Sequence, residues 1–158
     1  MSKGTQKGFT ILEMIMVVAI IALISIVSAP LGLQFYNGQT INGIQGQIGD
    51  SLTRARSQAV AQKNDSQFGV CVNITSGFTT SFVLYQGASG PACSTHNTPY
   101  DETYQVLSNT TITFPGSAAE INFAKHTGTP SVTGTTTISW NGLTRTVTVD
   151  SLGSVVEN

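Results

Sequence analysis

The chain of 158 residues carries seven Lys plus Arg against eight Asp plus Glu, a formal net charge of −1. Charged residues make up only 9% of it, against roughly 25% in an ordinary soluble domain, and so even a balance excludes a broad electrostatic footprint for nucleic acid. Hydrophobic residues at 40% suffice for a core and exclude a disordered chain, and the length suits one domain with a short appendage.

The first element is the run FTILEMIMVVAIIALISIVSA from Phe9 to Ala29, in which Glu13 is the only charged residue. As an α-helix it reaches about 30 Å, the thickness of a bilayer hydrocarbon core. A cleaved secretory signal has a shorter apolar stretch of about 7–15 residues, although Ser28-Ala29 resembles a weak cleavage site. Buried helices of soluble proteins are seldom apolar on every face. The run therefore reads as a retained membrane helix. Lys3 and Lys7 precede it and the next basic residue is Arg54. The positive-inside rule then puts the N-terminus in the cytoplasm and everything beyond residue 30 across the membrane.

Pro30 and Gly32 predict a kink or break where the run ends. Ile41, Ile44, Ile48, Leu52, Ala55 and Ala59 then recur three or four apart, one apolar stripe on a helix ending near Lys63. Gln45, Gln47, Asp50, Arg54 and Gln58 make the opposite, polar face. Gly38, Gly43, Gly46 and Gly49 each weaken the helix by up to about 1 kcal/mol relative to Ala, so it depends on packing against the rest of the domain. Asn64-Asp65 ends it.

From Gln67 the pattern changes to period two. Strands are predicted at 68–74, 79–86, 104–107, 110–114, 120–123, 135–140, 144–150 and 155–156, and the segment 87–101 reads as a long loop. Asn141-Gly142 between two alternating runs predicts a type I′ hairpin, whose two central residues both need positive φ. The expected fold class is α+β: a long N-terminal helix, with a membrane half and an amphipathic half, packed on an antiparallel β domain of two sheets. The expected segments are a leader at 1–8, an assembly helix at 9–29, its amphipathic continuation at 30–63 and a β domain at 64–158.

The start of the chain carries a family resemblance. Lys7-Gly8-Phe9-Thr10-Ile11-Leu12-Glu13 ahead of the apolar run resembles the class III signal of type IV pilins and type II secretion pseudopilins. The resemblance implies cleavage by a prepilin peptidase between Gly8 and Phe9, methylation of the new Phe9 amine, and a role in assembly for Glu13. A glycine before the cut lets a peptidase approach the backbone closely. Farther on, Leu52-Thr53-Arg54-Ala55-Arg56-Ser57-Gln58-Ala59-Val60-Ala61-Gln62-Lys63-Asn64, followed by a strand ending near Val70-Cys71, is similar to the GspH/FimT branch. So is the order of Ile121-Asn122-Phe123, Thr135 to Trp140, Arg145 to Val149 and the Ser151-Leu152-Gly153-Ser154-Val155 turn.

Chemistry is sparse. In an extracytoplasmic domain, Cys71 and Cys93 form a disulfide by default, with two buried thiols as the alternative. Cys93 and His96 with Cys71 and His126 lack the paired short spacings of a structural zinc site, so no metal is expected. The sequence contains no nucleophile, phosphate-loop or metalloprotease motif, and neither an enzyme nor a cofactor is expected. Asp101-Glu102 read as solvated neighbours. Trp140, Phe68, Phe78, Phe82, Phe114 and Phe123 read as core. The expected partners are a prepilin peptidase, other pilins or pseudopilins through helix packing, and the inner membrane. The expected function is a structural subunit of a type IV pilus or a type II secretion pseudopilus. The alternative is a minor pilin that binds DNA through Arg145, with Lys125 and His126 nearby. Phosphate contact needs several cations acting together, and Asp150 and Glu157 lie in the same region, so DNA is not expected as the main partner. A monomeric domain on a membrane tether leaves Glu13 without a purpose.

Overall fold

The computed structural model describes residues 8–87, Cys93 and residues 98–158, excepting the side chains of 27–31 and 98. It forms two compact units, Met1–Asn37 and Gly38–Asn158. Helix α1 runs Ile11–Val60. The break expected at Pro30 and Gly32 is absent, since both residues are helical. A proline removes one backbone hydrogen bond, and here the helix continues on both sides of it. At its other end α1 stops at Val60, a little before the expected Lys63. Gln62 (φ 54°), Asn64 (φ 52°) and Asp65 (φ 56°) are left-handed there, a conformation no helix propagates.

All eight predicted strands are present: β1 Phe68–Thr75, β2 Phe78–Gln86, β3 Glu102–Gln105, β4 Thr111–Thr113, β5 Glu120–Phe123, β6 Gly134–Trp140, β7 Leu143–Val149 and β8 Val155–Glu157. They make two antiparallel sheets of order β3-β2-β1-β5 and β4-β6-β7-β8. Asn141 (φ 48°) and Gly142 (φ 76°) turn the β6–β7 hairpin as the sequence predicts. Of the loop predicted at 87–101, residues 88–92 and 94–97 lie outside the described residues. Thr98–Tyr100 form a 3-10 turn.

The stripe Ile41, Ile44, Ile48, Leu52, Ala55 and Ala59 is buried throughout. It shares one core with Phe68, Val70, Phe82 and Phe123 of the first sheet and Ile138, Trp140, Val147 and Val149 of the second. This burial is what stabilises a glycine-rich helix, because apolar area removed from water contributes about 25 cal/mol per Å². Two residues depart from expectation. Gln45, assigned to the polar face, is buried, and its amide nitrogen Nε2 donates to the carbonyls of Thr146 (2.9 Å) and Asn158 (3.0 Å). It closes the end of the second sheet onto the helix. Phe78, assigned to the core, sits at the β1–β2 hairpin tip and is 44% exposed.

Strand β2 is buried on both faces. Phe82 and Leu84 face the helix, while Val83 and Tyr85 pack with Cys71 and Cys93 on the other side. Cys71 and Cys93 are joined by a disulfide, 22 residues apart in sequence. Closing a loop of that size constrains the unfolded chain by about 3 kcal/mol. The paired substitution Cys71→Ser with Cys93→Ser is therefore expected to lower stability by about that amount in denaturant titration, and a change below about 1 kcal/mol would refute the chain-entropy account.

Candidate functional site: the N-terminal helix and its surroundings

Gly8 and Phe9 precede α1 and are exposed, Phe9 by 80%. Residues 1–7, with Lys3 and Lys7, lie outside the described residues. Thr10 is the cap: its Oγ1 accepts the Glu13 N–H at 3.3 Å, while its carbonyl accepts the first helical bond, from Met14 N–H at 3.2 Å. Thr10-Ile11-Leu12-Glu13 is thus the T-x-x-E pattern of a capping box, a signal legible in the sequence itself. It satisfies one of the donors that any helix start leaves unpaired. It also puts the Glu13 carboxylate in the first turn, where the helix dipole favours negative charge.

Beyond Glu13 the helix shows apolar side chains in every direction. Ile11, Leu12, Met14, Ile15, Met16, Val17, Val18 and the residues up to Ile26 are all exposed. Met14, Ile15, Val18, Ala19 and Ala22 line a shallow apolar groove of about 390 Å³. Such a groove between side-chain ridges is the feature into which another helix packs. Ser25 satisfies its hydroxyl within the helix by donating to the Ile21 carbonyl at 2.8 Å. Among the described residues no helix is long and apolar enough to cross a membrane. Residues 11–26 make about 24 Å of helix against about 30 Å of hydrocarbon, and the apolar run in the sequence continues to Ala29.

Arg145 and Lys125, considered above for DNA, are not brought together. Arg145 on β7 donates through Nε to Asn42 Oδ1 (2.7 Å) and through Nη1 to the Thr144 carbonyl (2.9 Å). Lys125 pairs with Asp65, whose carboxyl it holds below the usual range. The neighbouring His126 donates its backbone N–H to the Ala59 carbonyl at 3.2 Å. Asn42 and Ala59 are about 25 Å apart along α1. The sulfurs of Cys71 and Cys93 are bonded to each other, so neither offers a metal a thiolate. His96 lies outside the described residues.

Glu102 is exposed, as expected, but its carboxylate is partnered. Glu102 opens β3, two residues before the predicted strand start, and its Oε1 accepts from Arg54 Nη2 at 2.6 Å. Tyr104 Oη accepts from Arg54 Nη1 (2.9 Å) and donates to Glu102 Oε2 (3.0 Å). No sequence spacing announces a contact between residues 48 apart. The hydrogen bond from Arg54 holds the Glu102 carboxyl below its ordinary value of 4.5, against a smaller opposing effect of burial. Because the folded value lies below the ordinary one, the pair contributes fully above the ordinary value and loses that contribution as pH falls through the lowered one. The pair is largely solvent-exposed, so Glu102→Gln is expected to lower stability by less than about 1 kcal/mol at neutral pH, with no difference from the parent in acid. Thermal unfolding across pH checks this, and a difference that persists in acid would contradict it.

Residues 3–29 match the family model for the prokaryotic N-terminal methylation motif, which supports a type IV pilin-like prepilin signal. No curated protein and no solved structure matches the chain.

Proposed function

We propose that this chain is a pilin-like structural subunit, a minor pilin or a pseudopilin, which assembles through its N-terminal helix into a type IV pilus or a type II secretion pseudopilus. The observation that carries this reading is the coincidence of the methylation motif with a helix start that is apolar on every side and holds a carboxylate at Glu13. In a folded soluble protein such a surface would be a liability, whereas helix-to-helix assembly covers it. On this reading residues 1–8 are a leader and a prepilin peptidase cuts between Gly8 and Phe9. The helix from Phe9 then waits in the inner membrane with its N-terminus in the cytoplasm and the β domain outside. The disulfide agrees with an extracytoplasmic domain. The sequence of residues 52–64 and the order of the strands that follow carry the resemblance to the GspH/FimT branch.

DNA binding lacks such support, because Arg145 and Lys125 stand far apart and each is already engaged. The deciding experiment is the intact mass of the protein purified from its native host. The expected mature chain begins at Phe9 and is heavier by one methyl group. A chain that retains Met1-Ser2, or is cut near Ala29, would sink the assignment.

A further inference from the structure

Arg56 follows the buried Ala55 on α1, and two turns of the β domain clamp its stem. A Cβ on Gly128 would lie 3.1 Å from Arg56 Cγ, and one on Gly153 would lie 2.9 Å from Nε and 3.0 Å from Cδ. The guanidinium is therefore held in place, and its Nε is buried without a hydrogen-bond partner. A buried donor left unpaired is unfavourable, and the guanidinium has further donors to offer. With Thr53, Ser57, Val60 and Ala61 it lines an open groove of about 420 Å³. Val60 in that groove is 44% exposed, and Leu152, next to Gly153, is 74% exposed. A rigid arginine among exposed apolar side chains is the composition of an interface centre.

The complementary charge is on the same chain. Asp50 is exposed on α1, and the exposed Glu157 of β8 lays its carboxylate over Gly49, beside Asp50. Neither acid has a hydrogen-bond or ion-pair partner among the described residues, whereas Asp65 and Glu102 do. From Asp50 to Arg56 the helix rises about 9 Å and the two side chains point about 120° apart, so they cannot meet within one chain. Complementary patches at different places on one subunit make a head-to-tail contact, which repeats in one direction and builds an open helical assembly.

We infer that the Arg56 groove of one subunit receives Asp50 and Glu157 of the next copy of this chain, with an axial stagger of about 9 Å between parallel helices. This inference rests on the filament reading above, taken with consecutive copies of this chain in the filament. Its test uses the full-length protein in its host, scoring the fraction recovered in sheared filaments. Arg56→Glu and Asp50→Arg are each expected to lower that fraction about tenfold, and the double variant to recover most of it, because each single change sets like charges against each other and the double change restores opposites. Because Arg56→Glu disturbs a clamped side chain, a second measurement leaves Arg56 intact. Copies carrying Asp50→Cys and copies carrying Ser57→Cys are co-expressed and oxidised, and a crosslinked dimer is expected only from the mixture. Single reversals that assemble like the parent, or a mixture that gives no dimer while the parent still assembles, would overturn this contact and leave the filament reading standing. A parent absent from filaments would instead remove the filament reading itself.

Discussion

Glu13→Leu is expected to be inserted and cut after Gly8 like the parent, yet to enter filaments at least about a hundredfold less well. A carboxylate in hydrocarbon is unfavourable by a few kcal/mol even on lenient insertion scales, so Glu13 persists in the apolar run only with something nearby to neutralise it. On the proposed reading, cleavage after Gly8 creates that partner. The α-amino group of Phe9 stays cationic when monomethylated and lies one helical turn from Glu13. The pair can form within a chain in the membrane, and the resemblance to pilins implies that it re-forms with an adjacent subunit on assembly. Removing one member of a buried pair leaves the other uncompensated, at a cost of about 3–5 kcal/mol, which corresponds to the hundredfold loss or more. The capping geometry supplies the controls. Thr10 Oγ1 holds the Glu13 N–H, so Thr10→Val removes the cap alone and should lower helix stability by about 1 kcal/mol. Glu13→Gln removes only the charge, and Glu13→Asp shortens its reach and should be intermediate. Co-assembly crosslinking and shear fractionation read the outcome. A Glu13→Leu subunit found in filaments at the parent level would make the carboxylate incidental to assembly.

The largest loss of domain stability is expected at Phe82. Its ring is fully buried against the helix stripe and stacks on Tyr104 with centroids 4.9 Å apart. Tyr104 in turn accepts from Arg54 of α1, so Phe82 supports the place where the edge strand β3 is tied to the helix. Phe82→Ala is expected to destabilise the domain by about 3–5 kcal/mol, from lost transfer energy plus a cavity the sheet cannot collapse to fill. Against a typical total of about 5–15 kcal/mol this leaves the fold marginal. Denaturant titration should show the loss, with Phe82→Leu recovering part of it. A loss below about 1 kcal/mol would mean that the β2 core repacks freely.

Local signals decided most of the architecture. Hydrophobic period places the α1 stripe and all eight strands because a helix or strand that buries one face must repeat its apolar residues at its own period. The Asn141-Gly142 turn is legible because few other residue pairs accept positive φ twice in succession. The motif with Gly8, Phe9 and Glu13 is legible because its residues lie close together in the chain, and the Thr10 cap is equally legible from the T-x-x-E spacing.

What only the tertiary structure decided are the contacts between residues far apart in the chain. Gln45 looks polar on a helical wheel, yet the last strands bring the Thr146 and Asn158 carbonyls to its side-chain amide, and a buried donor needs an acceptor. Phe78 looks like core, but it stands at the turn of the β1–β2 hairpin and is half-exposed there. The start of β3 at Glu102 follows from its pairing with Leu84 of β2, and Arg54 of α1 reaches Glu102 and Tyr104 there. Arg145 and Lys125 lie near each other in sequence, and the fold holds them at opposite ends of the packed half of α1. Periodicity reports which face of an element is buried, whereas the identity of the residue across the interface follows from loop closure and sheet register, for which one chain's local pattern carries no signal.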